Sequence, residues 1–224
     1  MPPTVDSVLN PGTSAEIDPT FRAVRMSIRP LEYQTLQGKI LGHYRIFGQG
    51  AAALVGTNAL LANFRWTDPT NFAVITRVYA TMTVVTPLTA TRADPITLSI
   101  ARAYTVNDGT NMTALVVSGN NQKMRSNMGS SVVGNIGVYS TAAGGSGGTR
   151  TVDANPVGAL AFTSQAIAVG TGIIGDLYKW DVLGQHPIVL AANEGLLVSW
   201  GVTAQVGGTS VMGVGFEWAE VPAF

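Results

Sequence analysis

The C-terminal part of the chain contains the feature that most limits how it can fold. Residues 195–216 are 22 consecutive residues without a charge, between Glu194 and Glu217, which is long enough for a membrane helix. Apolar residues, however, occupy alternate positions: Leu196, Val198, Trp200, Val202, Ala204 and Val206. A period of two residues is typical of a half-buried β-strand. After Gly207-Gly208 the alternation resumes, so the pattern predicts a β-hairpin or two consecutive strands and no membrane span.

The same alternation recurs through most of the chain. It predicts further strands over residues 40–47, 73–85, 96–104, 113–118, 159–169 and 187–190. In residues 96–104, Ile96, Leu98, Ile100 and Tyr104 are expected on one face. Two segments are exceptions: polar residues 120–134 can hold a short helix, and Asp176 as an N-cap predicts a short helix over 176–183.

Many short strands separated by glycine and proline turns predict an all-β fold, an antiparallel β-sandwich of jelly-roll-like type. Residues 1–20 carry four prolines and no Lys or Arg, and they predict an extended N-terminal arm. We expect residues 21–224 to form a single β-sandwich domain. The glycine-rich run over 141–149 predicts a flexible loop within it.

The charge balance argues for association with protein and against nucleic acid as a partner. Lys+Arg and Asp+Glu number 13 each, and charged residues make up 12% of the chain, about half the usual share of roughly 25%. Nucleic-acid binding normally needs a basic excess, which is missing here. A charge-poor surface with no net charge favours self-association.

Residues that could carry chemistry are sparse. The chain has no cysteine and two histidines, His43 and His186, so we expect no disulfide, no metal site and no bound cofactor. Gly170, Gly172 and Gly175 match a dinucleotide fingerprint, but the chain after them is too short for its crossover helix. Residues 144–148 match G-x-S-x-G without the strand and helix of a nucleophile elbow. We therefore expect a protein that is not an enzyme and has no catalytic residues.

The four tryptophans, Trp66, Trp180, Trp200 and Trp218, allow two interpretations. The first, favoured by the apolar positions of Trp200 and Trp218 in their strands, is that they are core residues. The second is that some of them form a sugar-binding platform at the surface.

Three segments resemble a known class of proteins. They are Phe64-Arg-Trp-Thr-Asp-Pro69, the run from Asp176 to Trp200 that contains Lys-Trp-Asp-Val-Leu-Gly-Gln-His-Pro, and the ending Phe216-Glu-Trp-Ala-Glu-Val-Pro222. Over about the last two-thirds of the chain the sequence resembles small virion structural proteins of tailed bacteriophages, of the capsid decoration (cement) or head-fibre-base kind.

The resemblance implies a protein that decorates and stabilises a capsid by bridging subunits of the major capsid protein. It implies a homo-oligomer, with a trimer favoured over a dimer, which assembles in the host cytoplasm and lies on the capsid surface. We assign the capsid contact to the arm and to the basic segment 21–30 after it, which alternates roughly and is expected to be a first strand, at Pro11, Ile17, Phe21, Arg22, Arg25 and Arg29. The alternative is a carbohydrate-binding or tail- or fibre-associated receptor-binding β-sandwich.

Overall fold

The computed structural model describes residues 4–6, 14–16, 42–89, 92–164, 169, 172–180, 186–201 and 204–222. The chain divides into two compact units, Met1–Gln37 and Gly38–Phe224. In the first unit, β1 (Thr4–Asp6) pairs with β2 (Ser14–Glu16) as a short antiparallel ladder.

The second unit contains two antiparallel sheets. The five-stranded sheet has the order β11 (Gly172–Lys179), β5 (Phe72–Thr86), β14 (Thr209–Val221) and β3 (His43–Gln49), and β12 (Ile188–Leu190) also pairs with β5. The seven-stranded sheet has the order β10 (Gly158–Ser164), β6 (Arg92–Val106), β13 (Glu194–Ser199), β4 (Leu60–Trp66), β8 (Asn135–Tyr139) and β7 (Met112–Ala114), with β9 (Thr149–Val152) beside β6. Every regular element in the described residues is a strand.

The two sheets pack face to face, and the predicted antiparallel β-sandwich is confirmed. Strands β3 to β6 alternate between the sheets one by one, as in jelly-roll folds. The last two long strands, β13 and β14, also lie in opposite sheets. They are therefore two consecutive strands and not a hairpin.

An aromatic cluster fills the space between the sheets. Phe64 of β4 packs edge-on against Trp218 of β14, with ring centroids 5.2 Å apart, and it also contacts Phe216 at 5.6 Å. All three side chains are fully buried. Burying such a side chain stabilises the fold by about 1.5–3 kcal/mol, so this cluster is a major source of the stability of the sandwich.

Three local expectations are wrong. The predicted helix over 176–183 is strand β11 as far as Lys179, because residues 172–179 complete the edge of the sheet beside β5. Residues 120–134 form turns and extended segments without a helix. Tyr104 lies on the opposite face from Ile96, because Ala103 adopts a φ of 49° and shifts the register of β6.

The described residues include no helix long and apolar enough to cross a membrane.

Candidate functional site: an exposed sheet face

The predicted capsid-contact residues Pro11, Ile17, Phe21, Arg22, Arg25 and Arg29 all lie outside the described residues. The assignment of the capsid contact to them therefore stays a prediction. The same holds for the extended arm over residues 1–20, of which the short β1–β2 ladder is the described part.

The two histidines lie apart from any group of metal ligands. His43 is half-buried on β3, where its Nε2 lies 3.3 Å from Thr76 Oγ1, and His186 is exposed just before β12. Within the described ranges no three His, Cys, Asp or Glu side chains come together in an arrangement that could hold a metal ion.

Three of the four tryptophans belong to the core. Trp66 and Trp218 are fully buried and Trp200 is 4% exposed, while Trp180 is half-buried after β11. The expectation that Trp200 and Trp218 are core residues is confirmed. A sugar platform cannot be built from Trp66, Trp200 or Trp218, because none of these rings reaches the surface.

The glycine-rich loop over 141–149 lies against the seven-stranded sheet. Gly145 N donates to Leu60 O at 2.9 Å, and Ser146 pairs with Thr110 across an isolated bridge. Gly144 has a φ of +74°, and a Cβ there would collide with the backbone of Ala59 and Leu60. The structure thus gives a steric reason for this glycine in addition to the flexibility that the composition predicts.

A buried polar cluster lies beneath this loop. Asp108 is fully buried and accepts hydrogen bonds from the Tyr104 hydroxyl, the Arg150 guanidinium and, at 3.1 Å, the Gly148 amide. Asn63 Nδ2 donates to the Tyr104 hydroxyl at 2.9 Å. Burial, together with the Asp108 carboxylate, raises the pKa of Tyr104 to about 12. The cluster joins two loops to β6, and its one acid, Asp108, already has partners within the protein, so we interpret it as structural.

A second buried carboxylate lies near the end of β14. Glu220 Oε1 accepts from Ser131 Oγ at 2.5 Å, from Val132 N at 3.2 Å and from Trp218 Nε1 at 3.2 Å. Burial raises the pKa of Glu220, although its hydrogen bonds oppose the shift. Residues 118–134, which we call the strap, are fixed to the sheet partly by this carboxylate and partly by the Tyr44 hydroxyl, which donates to Gly129 O at 3.0 Å.

The outer face of the five-stranded sheet, which we call the open face, carries aromatic and charged side chains at the surface. Odd-numbered residues of β3, of β14 from 211 to 217 and of β5 from 77 to 83 share this face with Gly172, Ile174 and Asp176 of β11. The side chains that define it are Arg45, Phe47, Arg77, Tyr79, Ile174, Asp176 and Glu217.

A stack of three side chains occupies the centre of the open face. The Phe47 and Tyr79 rings are nearly parallel, with an interplanar angle of 4° and centroids 5.9 Å apart. The Arg77 guanidinium lies 4.8 Å from the centroid of the Tyr79 ring. The rings lie over Gly213 and Gly215 of β14, where any Cβ would meet the ring atoms of Phe47 or Tyr79. The two glycines therefore create the space in which the aromatic stack rests.

Arg77 is paired with two carboxylates of the open face. Arg77 Nε donates to Asp176 Oδ1 at 2.7 Å, and Arg77 Nη1 lies 3.7 Å from Glu217 Oε1. The hydrogen bond to Asp176 raises the pKa of Arg77, and burial raises the pKa of Tyr79. Such half-exposed ion pairs contribute little to stability. Their effect is to hold the arginine and the aromatic rings in one arrangement.

This arrangement is suited to binding a protein surface. Aromatic side chains and arginine are enriched at the centres of protein interfaces, and Phe47 is 43% exposed and Ile174 68% exposed. The open face could not be identified from the sequence, because its residues come from four strands that are far apart in the chain. The alternating glycines of β14 opposite Phe47 and Tyr79 were the signal that the sequence contained.

Comparisons of the chain with protein-family models, with curated proteins and with solved structures found no match.

Proposed function

We propose that the protein is a virion structural protein that decorates and stabilises a tailed-phage capsid by bridging subunits of the major capsid protein. It acts by binding and not by catalysis. Its place is the capsid surface, and it assembles in the host cytoplasm as a homo-oligomer. The observation that carries the proposal is the open face, a surface with the Arg77–Tyr79–Phe47 stack at its centre and with Arg77 paired to Asp176 and Glu217.

Two further observations support a structural role. The acids Asp108 and Glu220 are buried and are bound by groups of the protein itself, which leaves them unsuited to acid–base chemistry on a bound substrate. The sequence resembles decoration proteins in the three segments named above, and its charge-poor composition suits a packed, repetitive surface. A protein present in many copies on a closed shell can stabilise it through individually weak contacts.

The test begins with purified virus particles from the source. Quantitative mass spectrometry should find this chain in numbers comparable to the main shell protein. Particles stripped of the chain should then bind the purified protein, and the double variant Phe47→Ala/Tyr79→Ala should bind roughly 30-fold more weakly, since truncating central aromatic residues of an interface costs about 2 kcal/mol or more.

The control is Val116→Ala, because Val116 is 62% exposed outside the open face. Absence of the chain from the particles would refute the virion assignment. Equal binding by wild type and the double variant would refute the role of the open face.

A second candidate function, glycan binding, is favoured by one observation. Phe47 and Tyr79 are partly exposed aromatic rings beside the hydrogen-bonding groups of Arg77 and Asp176, and aromatic surfaces next to polar groups can bind sugars. Signals on a glycan array that disappear in Phe47→Ala/Tyr79→Ala would support this function in place of the capsid role.

A further inference from the structure

The five-stranded sheet has an open edge at β11. The strand order places β11 at one end of the sheet, beside β5, and in the described part of the chain no main-chain group bonds to residues 172–176 from the outer side. The opposite end, β3, differs because the strap already bonds to it, as in the bond from Met124 N to His43 O at 3.2 Å. An unpaired strand edge is a site at which a further strand can add to a sheet.

The outward main-chain groups of β11 belong to its even-numbered residues. Arg45 N donates away from β14, to Gln122 O at 2.9 Å, so odd-numbered residues of β3 direct their main-chain groups outward. Alternation in an antiparallel ladder, carried through the regular pairs of β3 with β14, of β14 with β5 and of β5 with β11, directs outward the N–H and C=O groups of Gly172, Ile174 and Asp176. The side chains of the last two residues lie on the open face.

This edge lacks the features that usually prevent strand addition, which are lysine, proline or a bulge within the edge. Residues 172–176 have the sequence Gly-Ile-Ile-Gly-Asp, and the bulge of β11 comes after them, between Asp176 and Tyr178. Ile174 is 68% exposed, more than any other large apolar side chain in the described residues. An exposed apolar side chain on an unprotected edge indicates a contact surface.

The edge is complementary to itself. In an antiparallel pair of two β11 strands centred on Ile174, the two Ile174 residues lie opposite each other and Gly172 lies opposite Asp176 of the second copy. All three outward residues then face outward residues, which gives three pairs that each exchange two main-chain hydrogen bonds. A shift of the register by two residues would leave only two such pairs within residues 172–176.

The same register brings apolar side chains together on both sides of the ladder. On the open face the two Ile174 side chains meet, and apolar cross-strand pairs are favourable. On the core side, Gly175 lies opposite Ile173 of the second copy, and Leu160 of β10 lies over Gly175, where a Cβ would be 2.5 Å from Leu160 Cδ2. Ile173 and Leu160 are only partly buried where they pack against the core, so each Ile173 gains Leu160 of the other copy as a neighbour.

The pairing leaves no charge without its partner. Asp176 keeps Arg77 of its own copy, with Nε at 2.7 Å from Oδ1, and it faces a glycine of the second copy. The two Asp176 residues are four positions out of register, about 14 Å apart along the strands, which exceeds the screening length of about 8 Å at physiological salt. The hydrogen bonds, the apolar pairs and the charges of this edge are therefore all matched by a second copy of the same edge.

We propose that two copies of this chain form a twofold dimer through β11, with Ile174 at the axis. The contact is isologous, so it closes at two copies, and a dimer is one of the two oligomers that the resemblance implies. The axis is perpendicular to the sheet, because directly opposed residues place their side chains on the same face. The open faces of both copies therefore point to the same side. Their joint use in bridging capsid subunits rests on the proposed function, whereas the strand pairing does not.

A single cysteine at the axis tests the register. The chain has no cysteine, so Ile174→Cys places one thiol in each copy. Residues of a hydrogen-bonded antiparallel pair have Cα atoms about 5.5 Å apart, within the range of about 4.4–6.8 Å that a disulfide needs. Oxidation of the purified full chain should therefore convert most of it to a covalent dimer, without larger species, on a non-reducing gel.

Two other single-cysteine variants are the matched controls. Gly172→Cys places the thiol on the same edge, where a Cβ meets no atom closer than 3.9 Å, but the two thiols are then about 14 Å apart along the strands. Val116→Cys places it at a site 62% exposed outside β11. Both should cross-link much more slowly than Ile174→Cys. Equal rates for the three variants would overturn the proposed register.

Sedimentation velocity measures the association without cysteines. Wild type should sediment as a dimer at concentrations at which Ile174→Lys is a monomer, since a lysine on an edge opposes strand pairing and the axis would bring two lysines together. Val116→Lys should remain a dimer. Both positions are exposed, so both variants are expected to fold, which circular dichroism checks. A wild type that is monomeric at every concentration, or a dimer that Ile174→Lys does not weaken, would overturn the proposal.

Capsid binding separates the failure of this proposal from the failure of the proposed function. A dimer that dissociates in Ile174→Lys but is absent from virus particles would refute the virion assignment and support the strand pairing. A monomeric wild type whose binding to stripped capsids is lost in Ile174→Lys would show that the edge binds a strand of the capsid, and it would overturn the dimer.

Discussion

At the residue scale, two buried acids are held by different sets of hydrogen-bond donors. Asp108 is bound by a guanidinium, a hydroxyl and an amide. Among the described residues, Glu220 accepts hydrogen bonds from a hydroxyl, an amide and an indole N–H, none of them cationic. Removing a carboxylate from water without a counter-charge favours the protonated form, which is why burial raises the pKa of Glu220.

Glu220 therefore makes stability depend on pH in a defined direction. With its pKa raised in the folded state, the native protein holds a proton that the unfolded chain has already lost. Folding stability must then fall as pH rises above the ordinary glutamate pKa of 4.5. Glu220→Gln keeps an oxygen that can accept from Ser131, Val132 and Trp218 but cannot titrate.

We expect the melting temperature of wild type, relative to Glu220→Gln, to decrease between pH 4.5 and pH 8. Calorimetry of both proteins over this range makes the measurement. Parallel stability curves for the two proteins would contradict the prediction. Tyr44, which faces Glu220 and also has a raised pKa, stays protonated over this range and is common to both proteins.

At the scale of elements, β14 contributes to both faces of the five-stranded sheet: it supplies core side chains on one face and space for aromatic rings on the other. Its even-numbered residues Met212, Val214, Phe216 and Trp218 are buried in the core. Gly213 and Gly215 face the other way, and the Phe47 and Tyr79 rings from the flanking strands lie over them. A glycine in a strand interior costs about 0.5–1 kcal/mol relative to alanine, and here the space it creates is occupied by an aromatic ring.

Alanine substitutions at two glycines of the same sheet test this packing. Gly215→Ala should destabilise the protein by about 1–3 kcal/mol, because the new methyl group overlaps the Tyr79 ring and forces it from its position. Gly172→Ala meets nothing closer than 3.9 Å and should change stability by no more than about 0.5 kcal/mol. Urea unfolding of both variants makes the comparison. Equal losses would show that the glycines are not required for the aromatic stack.

At the scale of the whole molecule, the chain divides into two units, and the proposed function assigns attachment to the first and the stable fold to the second. The unit Gly38–Phe224 contains both sheets of the sandwich and the core between them. The sequence of residues 1–20, rich in proline and without a basic residue, favours an arm that lies on another protein. Proline lowers the entropy that such a segment loses on binding.

Deletion of residues 1–20 should therefore weaken attachment to capsids roughly tenfold or more, the effect of losing about 1.4 kcal/mol of binding free energy. The melting temperature should stay close to that of wild type. Co-sedimentation with stripped capsids, alongside a thermal melt, measures both quantities. Undiminished attachment would contradict a role for the arm.

The sequence by itself determined the fold class, because an alternation of two residues places apolar side chains on one face of a strand whatever its neighbours are. It also determined the core role of Trp200 and Trp218, whose positions follow the same alternation. Predictions from local sequence were wrong where long-range strand pairing competes with local preference. Asp176 resembles a helix N-cap, but its segment forms more stabilising contacts as the strand that completes the sheet beside β5. Ala103 reverses the face of Tyr104 through a positive φ that no pattern in the sequence indicates.

The residues of the candidate site are brought together only by the tertiary structure. Phe47, Tyr79, Ile174 and the glycines of β14 are separated by up to about 170 positions in the chain, and each is unremarkable in its own segment. They share a face because the strands pair in the order β11, β5, β14, β3. That order depends on which strands pack together to bury the core, which is a property of the whole chain. The residue pattern of one segment indicates which face of a strand is apolar. Which strands lie side by side is determined only when the whole sheet forms.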